Sequence, residues 1–285
     1  TTEIYTLSLH DALPIFSVMS LGGFSPHDAS MGYYNTPYLL FVGGLFILIS
    51  GINFTLHFTA WRSMGIGHYW RNPEVRMYLL IVSIATIIIS LTLWHHEVYD
   101  SFELAFLNGF FNMISVMTTT GLTTHDLSSW PMFIPVLLIM LSFIGGSAGS
   151  TAGGIKIVRI LLLWKQGMRE LYRLVHPNSV VPIKLGAQTV SDSVISAVWA
   201  FFALYIFTAA FITLLFMATG LDFFSAFATT AGTLNNMGVG LGGSVSGGFA
   251  VLSDTATWIG TFAMLLGRLE LFTLLVLFTR AFWRG

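Results

Sequence analysis

Apolar residues run along this chain in stretches whose length fits a bilayer, and the breaks between them carry as much information as the runs. Near-continuous apolar segments cover 38–61, 77–94, 131–144 continuing through 155–164, 194–219 and 256–279. A spanning α-helix takes about 20 residues, so five membrane crossings are expected. Two shorter apolar stretches, 101–114 and 222–233, fall below that length and are expected to enter the bilayer and stop. Each runs into small, hydroxyl-bearing or glycine residues: "TTTGLTTHD" at 118–126 and "NNMGVGLGG" at 235–243, with "SLGGFSPHD" at 20–28 as a further occurrence. A local departure met three times is a repeat unit. The unit reads as a spanning helix, a short re-entrant helix, a Gly-rich turn and a second span, over 77–164 and again over 194–279.

Composition agrees: 55% hydrophobic residues, 9% charged residues and a mean hydropathy of +0.78 exclude a soluble domain. With no cysteine, disulfides and thiolate metal sites are excluded too. Charge then sets the orientation. Arg62, Arg71 and Arg76 fall in one loop, Lys156, Arg159, Lys165, Arg169, Arg173 and Lys184 in a second, and Arg280 and Arg284 at the C-terminus. The opposite loops, 17–37, 95–130 and 219–255, hold no Lys or Arg but carry Asp28, Glu97, Asp100, Glu103, Asp126, Asp222 and Asp254. By the positive-inside rule the basic loops are cytoplasmic, and the three turns lie outside, under an acidic rim that concentrates cations.

Non-helical backbone at membrane depth is tolerated only where it is buried in protein or lines water. A re-entrant turn beside a pore meets that condition: its backbone presents carbonyl oxygens to a desolvated cation, and glycine allows the angles that aim them. The short helix directs its partially negative C-terminal end at the same place. The alternative is that the glycines are packing contacts between helices, which a single one would suggest but three aligned turns do not. His27–Asp28 and His125–Asp126 are read as polar caps of the turns rather than metal ligands. "GGSAGSTAGG" at 145–154 places five glycines inside an expected span, each weakening a helix by about 1 kcal/mol relative to Ala, so the helix is expected to break there. A phosphate-binding loop is excluded, because Gly154 is followed by Ile155-Lys156 and not by Lys-Ser/Thr.

The three turns, together with "IGGSAGSTAGGIKIVRI" and "MLLGRLELFTLLVLF", resemble the TrkH/TrkG potassium-uptake proteins, in the superfamily that also holds Ktr and HKT transporters. The resemblance runs from about Ser17 to the C-terminus. It implies an all-α integral membrane fold, with four helix, re-entrant pore-loop, helix repeats around a central ion pore. It further implies a potassium selectivity filter with one glycine from each repeat, here Leu21, Gly22 and Gly23; Thr119, Thr120 and Gly121; Asn236, Met237 and Gly238. Potassium would bind at Gly23, Gly121 and Gly238. The Gly-rich loop, with Gly145, Gly146, Ser147, Gly149, Ser150, Thr151, Gly153 and Gly154, would be a gate beneath the filter, and Arg268, a charge inside an expected span, would be a barrier in the pore. A cytosolic nucleotide-binding regulatory subunit (TrkA-like), a homodimer and a multi-pass position in the bacterial inner membrane are implied as well. Neither a covalent cofactor nor a nucleic-acid partner is implied.

On this reading residues 17–61 end the second repeat, 62–175 form the third with its Gly-rich loop, and 176–285 form the fourth, the first repeat being absent. Residues 1–16, "TTEIYTLSLHDALPIF", lack the small, aromatic composition of 222–233 and read as a foreign, adapter-derived segment, the alternative being a divergent pore helix. The chain alone, with three filter turns of four, is not expected to conduct. Two other readings stand beside potassium uptake of the Trk type. A sodium-coupled Ktr-type transporter shares the filter logic, whereas an integral-membrane enzyme would need a nucleophile–base pair or metal cluster that the spans do not contain.

Overall fold

The computed structural model describes residues 9–284 apart from 35, 246–247, 278–279 and 281. Residues 1–8 of the expected foreign segment, and 278–279 at the end of the last expected span, lie outside the described residues. In chain order the helices are α1 (Leu9–Ser20), α2 (Pro37–Ser50), α3 (Phe54–Arg62), α4 (Gly67–Arg71), α5 (Pro73–His95) and α6 (Phe102–Met117). They continue with α7 (Phe133–Ile144), α8 (Ile157–Val175), α9 (Asp192–Ala218), α10 (Phe223–Leu234), α11 (Asp254–Arg268) and α12 (Phe272–Val276). A two-residue hairpin, Lys184–Leu185 with Gln188–Thr189, links α8 to α9.

The repeat unit is present twice in full: α5, the short α6, a turn and α7–α8; then α9, the short α10, a turn and α11. α1 runs through residue 16 and ends at the first of the three turns, in the position that α6 and α10 hold before theirs. The short helices start where their sequences set caps. Ser101 accepts from the Leu104 N–H and Asp222 from the Ser225 N–H, each satisfying a donor that a helix start leaves open.

Burial is distributed as a bilayer requires. α6 is buried continuously from Asn108 to Met117 and α10 from Ala228 to Leu234, polar residues included. The long α5 and α9 instead expose Leu80, Ile84, Ile87 and Leu91, and Phe207, Phe211 and Leu214. α6 packs against α2, α5 and α7, and α10 against α9 and α11, so the short helices form the centre and the long ones the wall.

Two expected spans are corrected. The apolar run 38–61 is not one helix: α2 and α3 meet at a bend of 91°. Three of the carbonyls around the bend find donors from elsewhere, which supports it. Leu48 O accepts from the Tyr78 hydroxyl at 3.1 Å, Ile49 O from His57 Nε2 at 3.0 Å and Gly51 O from the Ser147 N–H at 2.9 Å, while Asn53 caps α3 through the Thr55 N–H. The run 256–279 also breaks: α11 stops at Arg268, and Glu270 and Leu271 take φ of 54° and 41°, which a right-handed helix does not contain. Among the described residues α5 and α9 are the helices long and apolar enough to cross unbroken.

Candidate ion-conduction site

The three turns share one backbone geometry. The short helices end in Schellman motifs, with Leu21, Thr119 and Asn236 in the left-handed region at φ of 54°, 59° and 57°. The next N–H reaches back five residues: Gly22 to Ser17 O at 2.9 Å, Thr120 to Ser115 O at 2.8 Å and Met237 to Gly232 O at 2.9 Å. Gly23, Gly121 and Gly238 follow, again at positive φ, 73°, 83° and 78°. The family resemblance sets these nine residues in register, and positive φ recurs at the first and third residue of each three.

The turns also touch. A Cβ on Gly23 would stand 2.1 Å from the Thr120 carbonyl oxygen, and one on Gly121 2.1 Å from that of Met237, whereas nothing lies within 4 Å at Gly238. At Gly23 and Gly121 a side chain would fit only if the neighbouring carbonyl shifted. The oxygens of Thr120 and Met237 stand at the seams between neighbouring turns, which follow the partially negative ends of α1, α6 and α10. Backbone and hydroxyl oxygens are what the turns offer, a donor set suited to a hard cation.

Side chains behind the turns hold them in place. Asn112 Nδ2 donates to Thr124 Oγ1 at 2.6 Å and its Oδ1 accepts from the Thr124 N–H at 3.0 Å. Ser115 Oγ donates to Leu122 O at 2.6 Å, and Ser17 Oγ accepts from the Phe24 N–H at 2.6 Å. Asn235 accepts from the buried Tyr205 hydroxyl and donates to Ser142 Oγ at 3.0 Å. The residue reading missed these braces, although Asn108, Asn112 and Ser115 recur at helical spacing within an apolar helix. Around the outer mouth His27 stacks on Tyr33, with ring centroids 3.5 Å apart, and Asp126 caps the turn at Ser128. Partial burial holds the His125 imidazole below its ordinary value. No group of three or more metal-ligating side chains occurs among the described residues.

The Gly-rich loop lies between α7 and α8, non-helical as expected, with Gly145, Gly149 and Gly154 at φ of 73°, 73° and 77°. It is strung between two supports. On the side of the three turns the Gly153 N–H donates to Thr119 Oγ1 at 2.7 Å, and a Cβ on Gly153 would meet Asn235 O at 2.2 Å. On the other side the Ser147 N–H donates to Gly51 O, the Phe54 N–H to Gly149 O at 3.2 Å, and the Ala148 N–H to Glu74 Oε1 at 2.7 Å. Gly146 packs near Ala152, Ser150 Oγ donates to Ser147 O at 2.6 Å, and the buried hydroxyls of Ser147 and Thr151 have no partner among the described residues.

Arg268 ends α11 and is exposed, directly after Gly267, whose Cα backs onto Leu234 O. Asn236 Nδ2 donates to Met264 O at 3.1 Å, which ties the third turn to the same end of α11. The charges of Arg268, Arg159 and Glu270 all act on Lys156 at the end of the Gly-rich loop. Glu270 pairs with Arg159 at 2.6 Å, not with Arg268.

Comparison with known proteins gives one answer. The sequence profile of the TrkH family, described as cation transport proteins, matches residues 11–284. The chain is 49% identical to the Trk system potassium uptake protein TrkH of Salmonella typhimurium, over 94% of this chain and 56% of that protein. It is 41% identical to the Trk system potassium uptake protein TrkG of Escherichia coli K12, over 94% and 55%. The crystal structure of the potassium transporter TrkH from Vibrio parahaemolyticus superposes with a TM-score of 0.89 at 46% identity, covering 94% of this chain and 57% of that one. The chain thus spans little more than half the length of these relatives.

Proposed function

Because this chain belongs to the TrkH family of cation transport proteins, we propose that a protein carrying it takes up potassium through a filter built from Gly23, Gly121, Gly238 and their preceding residues. One observation carries the reading: three turns with matching positive φ, joined in series by two close backbone approaches, at the ends of short helices. The ion is cargo and undergoes no chemistry. Residues 17–61, 62–175 and 176–285 are assigned to successive pore repeats, with 1–16 ahead of them. The loop 145–154 is assigned as the gate, on its contacts with Thr119 and Asn235 above and Glu74 below. Arg268 is assigned as a positive barrier on the cytoplasmic side of the third turn, where it repels a passing cation. The protein acts as the membrane subunit of a Trk system in the bacterial inner membrane, as a homodimer with a cytosolic nucleotide-binding subunit.

The test is Gly121→Ser in a full-length TrkH-family protein carrying these residues. A side chain there must displace Met237 O and hold φ near 83°, at a cost of about 1–3 kcal/mol in backbone strain alone. The potassium-to-sodium flux ratio in liposomes should fall by about tenfold, since carbonyl placement sets selectivity. Folded protein with an unchanged ratio would remove Gly121 from the filter.

A further inference from the structure

Glu74 is buried, 7% exposed, in the first turn of α5. An acid at a helix start ordinarily serves its own helix. Here that duty belongs to Asn72, whose Oδ1 accepts from the N–H groups of Glu74 and Val75 at 2.9 and 3.4 Å. The Glu74 carboxylate is therefore free to turn away from α5, and it reaches a segment 74 residues further along the chain: Oε1 accepts the Ala148 N–H at 2.7 Å. Ala148 lies within the Gly-rich loop, so this side chain ties the loop backbone to the start of α5. The nearby Lys156 ammonium does not compete for this contact, because it donates to Ala152 O. Among the described residues Glu74, Thr119 and Lys156 are the side chains from outside the loop that hydrogen-bond to its backbone, and of these Lys156 follows the loop directly in the chain. Thr119 belongs to a filter turn, and Glu74 to the fixed end of a spanning helix.

We propose that Glu74 is the positioning residue of the gate, a carboxylate clip that fastens Ala148 to α5 and so keeps the Gly-rich loop seated beneath the filter turns. The inference rests on the assignment of residues 145–154 as the gate. It assigns the restraint to a charge-assisted backbone contact, stronger than a neutral one, and not to the glycines, which supply only the freedom to move.

The experiment uses a full-length TrkH-family protein carrying these residues, with Thr151→Cys as reporter. Residues 1–285 contain no cysteine, any other cysteine is replaced, and the Thr151 hydroxyl has no partner to lose. Two quantities are read: the rate at which a methanethiosulfonate reagent modifies the reporter from the cytoplasmic side, and rubidium uptake per folded molecule in liposomes. Glu74→Ala should raise both about tenfold, the factor expected for losing a buried hydrogen bond to a charged group, with the potassium-to-sodium ratio unchanged. Glu74→Gln keeps an oxygen for the Ala148 N–H and should raise both only about threefold. An unchanged modification rate in Glu74→Ala overturns the clip. Faster modification with unchanged uptake retains the clip and removes the gate assignment. Where Glu74→Ala yields no folded protein, Glu74→Gln decides alone, and a modification rate equal to that of the parent overturns the proposal.

Discussion

Asn112 shows what a polar side chain does inside an apolar helix. Its amide spans from α6 to the irregular segment that follows the second turn, meeting both the backbone and the hydroxyl of Thr124, with no exposed surface. Asn112→Ala would leave the Thr124 N–H buried without a partner, which costs about 1–3 kcal/mol. Denaturation of the detergent-solubilised protein should show that loss, and a variant as stable as the parent would mean that Thr124 finds another acceptor. Asn112→Leu, similar in volume but unable to accept, should be no better than Ala. The residue types of the turns themselves were legible in the sequence because glycine and small hydroxyl residues have few other reasons to follow an apolar helix. The braces were not, because an Asn in an apolar stretch names no partner until the chain has folded back on it.

At the scale of elements, broken helices are the recurring device. The break at 145–154 was legible because five glycines in ten residues lower helix propensity locally. The breaks at Gly51–Asn53 and at Leu269–Leu271 were not, since both lie inside runs that are apolar on average over the length of a span. Tertiary partners make them: Tyr78, His57 and Ser147 satisfy the carbonyls freed at the first, and Arg159 engages Glu270 at the second. Hydropathy counts apolar residues but not the distant donors that let a helix stop. The broken α7–α8 element carries its own prediction. Gly153→Ala would push the loop off Asn235 O, which a Cβ would approach to 2.2 Å, and Gly154→Ala would strain a φ of 77°. The double variant should alter open probability in single-channel records and leave ion selectivity to the turns above. Altered selectivity with normal gating would place the loop in the filter instead.

At the scale of the whole molecule, the family, the all-α membrane fold and the repeat were readable, because each is carried by periodicity and by motifs that recur along the chain. The way the repeats meet was not, since no local pattern states which turn neighbours which. The seams supply it. Gly23 backs onto Thr120, and Gly121 backs onto Met237, so each glycine rests on the residue just before the next glycine in chain order. The contact is nose-to-tail, which gives the assembly a sense of rotation, and damage should therefore travel one way around it. Gly23→Ala should loosen residues 119–122 and spare 236–239, whereas Gly121→Ala should loosen 236–239 and spare 21–24. Amide hydrogen exchange resolved by peptide can follow both. Equal effects in the two directions would mean that the turns share strain as a symmetric ring. A one-way pattern would mean that the protein passes disturbance around its pore in the order in which its sequence is written.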